Sequence, residues 1–203
     1  FLGFADNIRT TVLIFITEGY RNRKTGVYPG RFSAALILPE DAFFMSFRKQ
    51  KGFGIMKKVI FKGAATALIT PFKDGKIDFD AYGKIIDYQI EQGIDAIVSC
   101  GTTGEASTLT DAEQIAAIQF AVQRAAGRVP VIAGTGSNDT AYAIELTRFS
   151  CEVGADALLL VTPYYNKATP KGLIKNFIET AEATDKPIIL YNVPSRTGCK
   201  ISL

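Results

Sequence analysis

From residue 62 onward the chain repeats one pattern five times: a short apolar run, then an amphipathic stretch. The runs cover residues 64–70, 94–100, 129–133, 155–161 and 187–193. They recur roughly every 25–35 residues, the length of a strand plus a helix. Each is too short to be a core helix and too continuously apolar for a strand with one wet face. A parallel sheet covered on both sides accommodates such runs.

The stretches between them have legible ends. Asp78 is placed to cap the first helix, and Gly93 to end it. The second opens on Thr110-x-x-Glu113, a capping box, presents Ile115, Ile118 and Val122 on one face, and stops at Gly127. The third follows Asn138 and ends at Gly154. The fourth has Thr169 as N-cap and Pro170 at its first position, then Leu173, Ile174, Phe177 and Ile178.

Strict alternation of strand and helix makes the chain α/β. Two architectures compete, a doubly wound open sheet and a (β/α)8 barrel. Neither GxGxxG nor GxxxxGK[ST] follows the first strand, which disfavours a nucleotide-binding open sheet. A complete barrel takes about 250 residues. Five strands therefore predict an incomplete TIM barrel. Its fifth strand is expected to have an open edge, and residues 56–203 alone are expected to aggregate.

Residues 1–55 follow no such rhythm and hold 8 Lys/Arg against 4 Asp/Glu, whereas residues 56–203 hold 15 against 16. The basic patches at 21–24 and 48–51 lack interleaved aromatic pairs, so no nucleic-acid partner is expected. The apolar run 11–17 falls short of the roughly 20 residues that span a membrane, and no cleavage site follows it. It suits a buried strand or an incidental apolar patch. Codons for Lys51-Gly52 can spell a ribosome-binding sequence just upstream of Met56. Residues 1–55 are accordingly expected to be a leader of translated upstream sequence, with Met56 the natural start and 56–203 the barrel portion.

Histidine is absent. That removes Ser-His-Asp and Cys-His pairs, His-ligated zinc and His bases at once. Proton transfer falls to Tyr, Lys, Asp, Glu or hydroxyl relays. The three cysteines (Cys100, Cys151, Cys199) are widely spaced and odd in number, which fits reduced thiols in a cytoplasmic protein.

Three clusters follow strands and precede helices, the position of a barrel's active-site rim. They are Gly101-Thr102-Thr103-Gly104-Glu105, Thr162-Pro163-Tyr164-Tyr165-Asn166, and Tyr191-Asn192-Val193-Pro194-Ser195-Arg196-Thr197-Gly198. The first reads either as a glycine-rich turn or as a carboxylate-binding loop with N–H and hydroxyl donors, Glu105 serving as a structural acid. The tyrosines read as rim-packing aromatics or as proton carriers. Arg196 reads as a planar fork for a carboxylate or as half of a surface ion pair.

Together these segments, at these separations, resemble the dihydrodipicolinate synthase family, and the similarity runs from about Phe61 to Gly198. Gly-x-Thr-Gly-Glu alone marks only the wider group of pyruvate-dependent aldolases and lyases. The Thr-Pro-Tyr-Tyr-Asn and Tyr-Asn-Val-Pro-Ser-Arg-Thr-Gly segments narrow the resemblance to the synthase. It implies that pyruvate forms a Schiff base with a lysine and condenses with L-aspartate 4-semialdehyde to 4-hydroxy-tetrahydrodipicolinate, in lysine (diaminopimelate) biosynthesis. By position, it makes Thr102 a relay hydroxyl, Tyr191 the proton donor and acceptor near the imine, and Tyr165 the residue completing the relay in a neighbouring subunit. Thr103 would hold the pyruvate carboxylate and Arg196 that of the second substrate. A cytoplasmic homotetramer built as a dimer of dimers is implied, with no metal or organic cofactor.

Two departures qualify the resemblance. The family's imine-forming lysine lies on the strand after that of Tyr191, beyond Leu203. Lys200, in a connecting loop, is expected to be a solvated side chain, and the chain alone to be inactive. Lysine-inhibited members carry histidine and glutamate at their effector site; this chain has no histidine and has Tyr142 in the glutamate's place, although Asn138 and Tyr164 are compatible. Two alternatives stay open: a related lyase of the N-acetylneuraminate lyase type, and a short binding protein without catalysis.

Overall fold

The computed structural model describes residues 60–201 together with two strand segments nearer the N-terminus. In chain order the strands are β1 (Val12–Ile14), β2 (Ala35–Leu38), β3 (Gly63–Ala67), β4 (Phe72–Lys73), β5 (Lys76–Ile77), β6 (Ala96–Ser99), β7 (Val131–Gly134), β8 (Ala157–Val161) and β9 (Ile188–Tyr191). The helices are α1 (Phe79–Glu91), α2 (Asp111–Ala125), α3 (Thr140–Glu152), α4 (Pro170–Glu182) and the single turn α5 (Pro194–Thr197). The expected boundary at Met56 lies outside the described residues.

The main sheet runs β1-β9-β8-β7-β6-β3-β2. Strands β3, β6, β7, β8 and β9 are parallel and adjacent in chain order. A doubly wound sheet reverses its strand order at a switch point. This one does not, and it curls into part of a barrel with the helices outside.

Side chains alternate across the curl as a period of two requires. Ile97, Val131, Ala133 and Leu158 pack outward against Ile118, Ala121 and Leu146 of the helices. Ala65, Val98, Ile132, Leu159, Ile189 and Tyr191 point inward and meet one another. All four residues of β6 and of β7 are buried, as their apolar runs predict.

Helix ends follow local chemistry. Asp78 accepts from the Ala81 N–H at 2.9 Å, and Thr169 from the Gly172 N–H at 3.2 Å. The capping box of α2 is formed, with the Glu113 carboxylate bonded by the Thr110 N–H at 2.8 Å. These bonds hold the Glu113 carboxyl below its usual range. Asp139 caps α3, accepting from the Ala141 N–H at 2.9 Å, while the Asn138 side chain donates to the Tyr164 carbonyl at 3.3 Å.

Two Gly-x-Asp-Ala segments clamp the N-terminal ends of the strands. Asp95 accepts from the Ala64 N–H on β3, and Asp156 from the Val131 N–H on β7, each at 2.9 Å. Each aspartate N–H returns a bond to the carbonyl of the same partner residue. Removing the carboxylate leaves a strand N–H without its charged acceptor. We expect Asp95→Ala to lower the unfolding free energy by about 1–2 kcal/mol in urea titrations, and Asp95→Asn to cost less.

The edge of β9 differs from expectation. It is not open, because β1 pairs with it in parallel, Val12 opposite Ile189 and Ile14 opposite Tyr191. At the other edge β2 pairs antiparallel with β3. Unpaired strand edges demand partners for their N–H and C=O groups, and the two N-terminal strand segments β1 and β2 supply them.

Candidate active site

The C-terminal ends of β6 to β9 surround a cavity of about 440 Å³. Thr102, Tyr191 and Arg196, which the sequence analysis singles out separately, all line it.

Thr102 stands in a tight 3-10 turn, Thr102–Gly104, flanked by left-handed residues at Cys100 (φ 55°) and Glu105 (φ 56°). The Thr70 hydroxyl donates to the Gly104 carbonyl at 2.7 Å, pinning the turn to the segment that leaves β3. Glu105 holds the loop through its backbone: its carbonyl accepts the Thr108 hydroxyl at 2.9 Å. Thr103 is half-buried and does not line the cavity.

Tyr191 ends β9 on the inner face and is 7% exposed. Its ring packs in the inner cluster, while its hydroxyl bonds to no described residue and retains access to the cavity. Arg196 is exposed and makes no ion pair with a described carboxylate, so a structural ion-pair role has no partner among the described residues.

Adjacent tyrosines separate. Tyr164 lines the cavity, whereas Tyr165, at φ 72°, turns outward and is 90% exposed. A reciprocal pair fixes this loop: Asn138 donates to the Tyr164 carbonyl at 3.3 Å and Asn166 donates to the Asn138 carbonyl at 3.0 Å. Cys100, Glu105, Tyr165 and Lys167 all hold positive φ. Such backbone costs about 1–3 kcal/mol per residue and concentrates where a site fixes its geometry. No hydrogen bond joins Thr102, Tyr191 and Tyr165 among the described residues.

The cavity wall also holds Gln114, which sequence reasoning missed. Gln114, 4% exposed, donates to the Gly134 carbonyl at 3.3 Å and accepts the Tyr142 hydroxyl at 3.0 Å. Burial, and then the neighbouring Asp111 carboxylate, push the Tyr142 phenol up to about 12. Burial likewise pushes the Cys100 thiol up to about 11, against the opposing bond from Ser99, so it stays protonated at neutral pH. The signal for Gln114 was available: it is a polar residue on the apolar stripe of α2, four residues before Ile118. No lysine lines the cavity among the described residues, and Lys200 is exposed.

The sequence model of the dihydrodipicolinate synthetase family matches residues 60–203. The chain belongs to that family. It is 56% identical over 139 residues to the 4-hydroxy-tetrahydrodipicolinate synthase of Thermoanaerobacter sp. (strain X514), covering 68% of this chain and 47% of that relative. The corresponding synthase of Maridesulfovibrio salexigens is 59% identical over 138 residues, with the same coverage. The crystal structure of dihydrodipicolinate synthase from Aquifex aeolicus superposes with a TM-score of 0.67 at 54% identity, covering 68% of this chain and 47% of that one. The enzyme from Acinetobacter baumannii, solved in complex with pyruvate, gives a TM-score of 0.66 at 50% identity, covering 68% and 48%. The chain thus spans about half the length of the family members it matches.

Proposed function

We propose that this chain supplies the pyruvate-side relay and the carboxylate contacts of a synthase that condenses pyruvate with L-aspartate 4-semialdehyde to give 4-hydroxy-tetrahydrodipicolinate, in the cytoplasm. The observation that carries the reading is the meeting of Thr102, Tyr191 and Arg196 on one cavity in a chain of this family. Tyr191 donates and accepts the proton near the imine, and Thr102 passes it on. Arg196, free of a carboxylate among the described residues, offers its fork to the second substrate. Thr103 is the contact for the pyruvate carboxylate that the family resemblance implies, although it does not itself line the cavity. Tyr165, projecting from its loop, completes the relay of a neighbouring subunit in a dimer of dimers. The imine-forming lysine comes from outside the described residues, since no described lysine lines the cavity, and the chain alone is inactive.

A lyase acting on a sugar acid is the second reading. Arg196 in its Ser-Arg-Thr-Gly setting favours the semialdehyde. The two are separated in a chimaera in which residues 60–201 replace the matched segment of the Thermoanaerobacter synthase. With pyruvate, it is expected to turn over L-aspartate 4-semialdehyde at least roughly 100-fold faster than N-acetylmannosamine, the scale of discrimination a polar site achieves. Preference for the sugar aldehyde, or turnover of neither, would count against the proposal.

A further inference from the structure

Arg196 sits on α5, a helix of four residues. So short a helix cannot hold its own shape, because the cost of nucleation exceeds what its few hydrogen bonds return. Something outside it must fix where Arg196 points.

The tether lies underneath. Thr197, the last residue of α5, is 5% exposed, and Thr162, just past β8, is fully buried. The Thr162 hydroxyl donates to the Thr197 hydroxyl oxygen at 3.0 Å. That oxygen also accepts the Cys199 N–H at 3.2 Å. Its own proton goes to the carbonyl of Cys199 at 2.9 Å or of Val193 at 3.2 Å. One hydroxyl therefore uses both lone pairs and its proton, and ties both ends of the Arg196 turn to the end of β8. The Thr162 N–H in turn donates to the Tyr191 carbonyl at 3.2 Å. A second staple closes the loop: the Ile201 N–H donates to the Asn192 side chain at 3.1 Å.

We propose that the buried Thr162–Thr197 hydroxyl pair is a positioning device that aims Arg196 into the cavity it shares with Thr102 and Tyr191, and so sets the affinity for the carboxylate of the second substrate. The proposal rests on the reading of that cavity as a site for carboxylate-bearing substrates. Thr162 does not line the cavity, whereas Thr197 lines it with its hydroxyl engaged by Thr162 and by its own turn. They act through the turn, and Tyr191 and Arg196 are held in register because both hang on the same strand end.

The test uses the full 203-residue chain with succinate as probe, following the Arg196 side-chain N–H resonance by NMR. Thr162→Val keeps the shape and removes the donor; Thr162→Ser keeps the donor. Thr162→Val is expected to weaken succinate binding about tenfold, the worth of one lost hydrogen bond, and to shift the Arg196 resonance. Thr162→Ser is expected to bind as the parent does. Thr197→Val removes the accepting oxygen instead; since Thr197 lines the cavity, it is read by the Arg196 resonance, which is expected to shift as it does in Thr162→Val. If Arg196→Ala loses succinate but Thr162→Val binds normally, or Thr197→Val leaves the resonance in place, the tether is refuted and the cavity reading stands. If Arg196→Ala binds as tightly as the parent, both fall together.

Discussion

Replacing Tyr191 with phenylalanine in the chimaera is expected to lower turnover 10²- to 10⁴-fold, the usual contribution of a positioned proton carrier, while the protein still folds. Folding survives because the ring supplies the inner-face packing and the hydroxyl has no partner among the described residues. Chemistry fails because a chain without histidine has few groups to move a proton. Of the other tyrosines lining the cavity, Tyr142 is poorly suited: its hydroxyl is engaged by Gln114, and burial beside Asp111 raises it to about 12. Steady-state assays with both substrates check the expectation. A loss confined to KM would make Tyr191 a packing residue at the rim.

The second large effect is structural. A Cβ on Gly134 would stand 2.0 Å from the Cys100 carbonyl oxygen and 2.6 Å from its carbon. Both are backbone atoms, so no side-chain rotation relieves the clash. Gly134→Ala is expected to cost more than about 4 kcal/mol, in the range reserved for severe overpacking, and to leave little soluble folded protein. The close approach seats the end of β7 against the strand end that leads into the Thr102 turn, with Gln114 bonded to the same glycine's carbonyl. Wild-type melting behaviour in Gly134→Ala would show that the two strand ends are not in fact packed backbone to backbone.

The fold was legible where local chemistry marks it. Thr110 with Glu113, and Thr169 with Pro170, locate their helix starts to the residue, because a cap is satisfied by neighbours in sequence. Strand ends were less legible. The apolar run 64–70 overshoots β3, since Leu68 stays buried and bonded to the Val98 carbonyl after the ladder ends; apolarity reports burial, not pairing. The β4–β5 hairpin went unread although Asp74-Gly75 announces it, with φ of 53° and 75°. The pairing of β1 with β9 depends on long-range contact that no local pattern encodes. For the candidate site, spacing after strands brought Thr102, Tyr191 and Arg196 to one rim. It could not separate Tyr164 from Tyr165, because that turns on one left-handed residue. Nor could it identify Thr162 and Thr197, whose role exists only once two strand ends lie side by side.

In the proposed function this chain shapes the cavity and carries its relay, while a lysine outside the described residues is the nucleophile. Borohydride reduction in the presence of pyruvate, followed by peptide mass mapping, tests it on the 203-residue chain and the chimaera side by side. A reduced pyruvate adduct is expected on the chimaera only, at a lysine outside the grafted residues. An adduct on Lys200, or on any other lysine of this chain, would contradict the proposal.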